Sequence, residues 1–74
     1  MSETNLDLSG LKCPLPALKT RKALSRLAKG DRLSIICTDP LSAIDIPNLL
    51  RETGDRLLAS DKRDEKLVFE IEKS

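Results

Sequence analysis

At 74 residues the chain has room for one small hydrophobic core and none for a second, so residues 1–74 are expected to form one domain. Charged residues make up 34% against 39% hydrophobic, a balance that suits a compact fold and not a disordered tail. A formal charge of +1 and a lone aromatic, Phe69, provide neither a basic field nor a stacking platform, so no direct nucleic-acid binding is expected.

Residues 1–5 are polar and read as a flexible N-terminus. Leu6-Asp7-Leu8 then alternates like a short strand that Ser9-Gly10 breaks. A helix follows to about residue 28, with Lys29 in its last turn and Gly30 as its stop. Spacing residues by about 100° puts Ala17, Thr20, Leu24, Leu27 and Ala28 on one face, which should cover a sheet. Lys19, Lys22, Arg26 and Lys29 form a basic ridge on the other side, and Leu15 and Leu18 share that outward side in the first turns. Such a stripe is commonly no more than a solvated helix face. Beside a reactive residue, an apolar pair flanked by cations also suits a docking surface for acidic partner proteins, through Leu15, Leu18, Lys19, Lys22 and Arg26.

Residues 32–37 read as a second strand with Leu33, Ile35 and Cys37 on one face. A strand, a helix and a strand in succession predict a parallel crossover, which brings the ends of both strands to one rim. Pro47 would break a helix that began at Ala43, so the expectation is a loose turn over 40–44 and a helix from about Ile46, with Asp45 as its N-cap and Gly54 as its stop. Asp39 is expected to cap that turn; were it near the rim, its charge would oppose a thiolate. Residues 56–60 and 66–72 complete a hairpin across a charged, mobile turn over 61–65. The order β-α-β-α-β-β predicts an α/β two-layer sandwich, with two helices on one face of a four-stranded mixed sheet and a polar opposite face.

Cys13-Pro14-Leu15-Pro16 sets a thiol where the first strand stops and the first helix begins. If the helix starts at Pro14, Cys13 is its N-cap and both prolines lie in the first turn, where a missing donor costs little. Pro16 also disfavours a helical Leu15, so a start two residues later, with Cys13 on the loop, is the alternative. In both cases the helix end and Lys12, with the Leu15 amide in the first, should favour thiolate over thiol. The bland alternative is a small buried hydrophobe in a proline-marked turn. Histidine is absent, which excludes a Cys/His pair, and two cysteines cannot complete a four-ligand zinc site. No metal and no cofactor are expected.

The run Gly10-Leu11-Lys12-Cys13-Pro14-Leu15-Pro16, with Lys19, Lys22 and Ala23, then Thr38-Asp39-Pro40 and Asp45-Ile46-Pro47, resembles the TusA/SirA family of small sulfur-carrier proteins over residues 6 to 73. The resemblance implies that Cys13 carries sulfane sulfur as a persulfide, supported by Lys12, Pro14, Leu15 and Pro16. It implies a donor protein, such as a cysteine desulfurase or a rhodanese, and an acceptor protein of the DsrE-like kind. The setting it implies is a relay for tRNA thiolation, molybdenum-cofactor assembly or oxidation of reduced sulfur. It also implies the strand order 1-2-4-3. A carrier of this sort is not a stand-alone enzyme.

Two other classes stand beside it. One is a thiol redox protein that cycles Cys13 with Cys37 as a second thiol, although Cys37 reads best as a packed core residue. The other is a non-catalytic regulatory interaction module. The N-terminus lacks the regions of a signal peptide and no apolar run approaches the ~20 residues that span a bilayer, so a cytoplasmic protein without membrane contact is expected.

Overall fold

Six elements succeed one another in the computed structural model, which describes residues 3–74: β1 (Glu3–Leu8), α1 (Leu15–Ser25), β2 (Arg32–Cys37), α2 (Ser42–Thr53), β3 (Arg56–Arg63) and β4 (Lys66–Glu72). The strands form one mixed sheet in the order β1-β2-β4-β3, as the resemblance implied, with β1 parallel to β2 and the other neighbours antiparallel. No helix among the described residues is long and apolar enough to cross a membrane.

Register explains why one face is apolar. Leu8, Cys37 and Leu67 lie in one row across the sheet, and Leu6, Ile35 and Phe69 in the next. These rows meet Leu24 of α1 and Ile46 and Leu50 of α2 in a single core. Each such leucine or isoleucine contributes roughly 1.5–3 kcal/mol through burial. The opposite face carries Asn5, Asp7, Ser34 and Glu70, with Ile36 and Val68 side by side as its half-buried apolar pair. The architecture is the expected two-layer α/β sandwich.

Several boundaries differ from the sequence reading. Strand β1 takes in residues 3–5, which pair with Arg32, Leu33 and Ser34, so these are not a flexible terminus; residues 1–2 lie outside the described residues. Helix α1 ends at Ser25 because the Arg26 and Leu27 amides donate to carbonyls three residues back and Asp31 accepts the Ala28 amide at 2.9 Å. Ala28 is consequently exposed, and the buried stripe is Pro16, Thr20 and Leu24. Helix α2 begins at Ser42, with Pro47 inside it, because the turn over 39–42 is already helical: the Ser42, Ala43 and Ile44 amides donate to the Asp39, Pro40 and Leu41 carbonyls. Gly54 closes α2 in the left-handed conformation, as its position foretold. The β3–β4 turn is only Asp64-Glu65, since Asp64 adopts φ 55 and closes it tightly.

Candidate functional site

Because β1 and β2 run parallel, the loops that follow them lie side by side. Gly10 turns the chain after β1 at φ 83, a left-handed conformation that a Cβ would strain, and its amide donates to Thr38 Oγ1 at 2.8 Å. Farther along, the Cys13 amide donates to Asp39 Oδ2 at 2.6 Å, while Asp39 Oδ1 accepts the Leu41 amide at 3.1 Å. Asp39 thus caps its own turn, as expected, and also fastens the Cys13 loop to it. The Cys13 amide first, then the Leu41 amide, and after them the Lys12 charge, hold its carboxyl below the ordinary carboxylate value.

The Cys13 side chain is exposed, and its Sγ donates to Asp45 Oδ2 at 2.8 Å. The acceptor is on α2, across the rim. That hydrogen bond, then loss of solvent, then the charges of Asp45 and Asp39 push the thiol above its ordinary value. The expectation of a favoured thiolate is therefore overturned. Pro14 occupies the N-cap position in place of Cys13, after a cis Cys13–Pro14 peptide, and the Leu15 amide donates to the Lys12 carbonyl at 2.8 Å, not to sulfur. Two carboxylates, with partial loss of solvent, thus bias the sulfur toward the thiol.

Lys12, Pro14 and Leu15 are exposed around the thiol, whereas Pro16 is buried with Thr20 and Leu24 on α1. Leu18, Lys19, Lys22 and Arg26 are all exposed along α1, with Leu15 at 44% and Leu18 at 54%. Arg21 lies in the groove between the helices with Cys13 and Asp45, and Glu52 holds it at 2.7 Å. Leu41 and Ile44 are exposed too, and Leu41 lines a shallow groove with Lys12, Cys13 and Asp39. Sequence reasoning missed both leucine and isoleucine at this rim because it placed them in a turn.

Asp45 was also missed. Its signal lay in the Asp45-Ile46-Pro47 run, but reading it as an N-cap turned its carboxylate toward its own helix. With α2 starting at Ser42, Asp45 has no capping task and reaches the neighbouring loop. Cys37 ends β2 near this rim yet is wholly buried in the core. Burial pushes its thiol up, the Ser42 hydroxyl partly offsets this, and the Asp39 charge opposes ionisation further. Among the described residues no group of three or more His, Cys, Asp or Glu side chains is arranged to hold a metal ion.

Comparison with known proteins points the same way along nearly the whole chain. The family described as sulfurtransferase TusA matches residues 4–73. The chain is 40% identical over 72 residues to the sulfur carrier protein TusA of Allochromatium vinosum, covering 97% of this chain and 95% of that one. It is 41% identical over 64 residues to a putative sulfur carrier protein of Neisseria meningitidis serogroup A, covering 86% of each. A putative sulfur carrier protein of Aquifex aeolicus is 38% identical over 72 residues, which make up 97% of this chain and 36% of that longer protein.

Proposed function

Because the chain belongs to the TusA family of sulfur carrier proteins, we propose that it accepts sulfane sulfur on Cys13 and passes it to an acceptor protein. The observation that carries this reading is the contrast in access. Of the chain's cysteines, Cys13 is exposed on a rim tied down by two loop-to-loop hydrogen bonds, and Cys37 is buried. A carrier needs a nucleophile that is open to a partner and held on a rigid support; proton donors and further catalytic groups can come from that partner.

In the transfer, Cys13 Sγ as thiolate attacks the outer sulfur of a donor persulfide. A new S–S bond forms at Cys13, the donor's S–S bond breaks, and its electron pair leaves on the donor thiolate. Onward transfer repeats the exchange with an acceptor thiol, so no external oxidant enters. The donor is a cysteine desulfurase or a rhodanese and the acceptor a DsrE-like protein, both meeting Leu15, Leu18 and the cations Lys19, Lys22 and Arg26. The pathway is tRNA thiolation, molybdenum-cofactor assembly or sulfur oxidation in the cytoplasm. The burial of Cys37 supports carriage by one thiol over a Cys13–Cys37 redox cycle.

Intact mass after exposure to a desulfurase with cysteine, and separately to a rhodanese with thiosulfate, tests the reading. A gain of one sulfur, reversed by reductant, is expected in wild type and Cys37→Ser and not in Cys13→Ser. Loss of two hydrogens in wild type alone would replace carriage with the redox cycle.

A further inference from the structure

The transfer needs a thiolate, yet the surroundings of Cys13 favour the thiol. The 2.8 Å bond from Sγ to Asp45 Oδ2 requires a proton between the two atoms, because two anions at that distance repel. Asp39 takes the Cys13 amide at 2.6 Å and adds a second negative charge; Lys12 faces Asp39; Arg21 shares the groove but is already paired with Glu52 at 2.7 Å. No cation of the chain contacts Sγ among the described hydrogen bonds and ion pairs, whereas a carboxylate does. The raised value of the thiol agrees with this geometry.

We propose that Asp45 is a specificity-determining residue of the carrier: by holding Cys13 as a thiol it withholds the nucleophile from small persulfides and oxidants until a donor protein brings a cationic group to the Asp39–Asp45 pair. This rests on the carrier reading of Cys13. A lysine or arginine set against the two carboxylates weakens their hold on the proton, and the thiolate forms only inside the complex. Free in solution, the carrier reacts slowly. The contact therefore exchanges speed with arbitrary reagents for selectivity among donors.

The test compares wild type, Asp45→Asn, Asp45→Glu and Asp39→Asn, each shown to melt as one transition. Alkylation by the neutral reagent iodoacetamide is followed against pH, and sulfur gain is followed by mass from a desulfurase with cysteine and from glutathione persulfide. Asp45→Asn should be alkylated about tenfold faster at pH 7, with its profile displaced to lower pH, and Asp45→Glu should stay closer to wild type. The desulfurase-to-glutathione loading ratio should fall severalfold in Asp45→Asn. On wild type a cationic methanethiosulfonate should outrun its neutral counterpart by more than it does on Asp45→Asn. If wild type loads from the desulfurase while Asp45→Asn changes neither the alkylation profile nor the loading ratio, the role of Asp45 is overturned and carriage stands. If wild type takes sulfur from neither donor, carriage is overturned and the selective role with it, even where alkylation still reports the contact.

Discussion

The ends of β1 and β2 form neighbouring regions of one rim, and each region holds a cysteine whose thiol is pushed above its ordinary value. The causes differ. Around Cys13 the first cause is a hydrogen bond to the Asp45 carboxylate, made at an exposed surface; around Cys37 it is burial in the core. A surface contact can be removed by a docking protein, whereas a buried environment changes only when the fold opens. Equal directions of shift therefore conceal unequal accessibility to control, and the adjustable region is the one suited to transfer.

The sharpest way to break the comparison is to count reactive thiols in the native protein. Cys13 should react with an excess of iodoacetamide at pH 8 while Cys37 reacts orders of magnitude more slowly, on the timescale of unfolding; peptide mapping after a quench reads both. Comparable rates would put the regions on the same footing.

The next effect is on stability. Cys37→Ser sets a hydroxyl in an apolar core and should cost about 1–3 kcal/mol in urea unfolding, whereas Cys13→Ser keeps a donor for Asp45 and should leave the midpoint in place. The pH dependence has a definite sign. Both thiols have folded values raised above the ordinary 9.0, so the stability they contribute is present below that value and is lost as pH rises through the folded values. Cys37→Ser should remove the larger share of the alkaline loss, since its thiol is the one that must ionise inside the core.

The smallest effect concerns the surface beside Cys13. Reversing Lys19 and Lys22 to Glu should slow sulfur transfer severalfold at low ionic strength and little at high salt. The core around Cys37 should not register the change, so melting temperature serves as the control. Equal transfer rates at both ionic strengths would make the ridge a solvated helix face.

Much of this molecule was legible in the sequence. The alternation of Leu33, Ile35 and Cys37, and of Phe69 and Ile71, determined the buried face of the sheet, because residues two apart on a strand share a side. The spacing of Thr20 and Leu24 determined the buried side of α1, and the run Cys13-Pro14-Leu15-Pro16 marked the rim. Local rules failed at the ends of elements, where a side chain from elsewhere supplied the deciding partner: Asp31 took the amide that would have continued α1, and residues 3–5 found β2. They failed most at Cys13. Proximity along the chain offered Lys12 and a helix end, both of which favour thiolate, whereas the groups that touch the residue are Asp39 and Asp45, 26 and 32 positions away. Charge interactions act through space and are screened over roughly 8–10 Å at ordinary ionic strength, so only the tertiary structure, by bringing two loops to one rim, could set these carboxylates beside the sulfur.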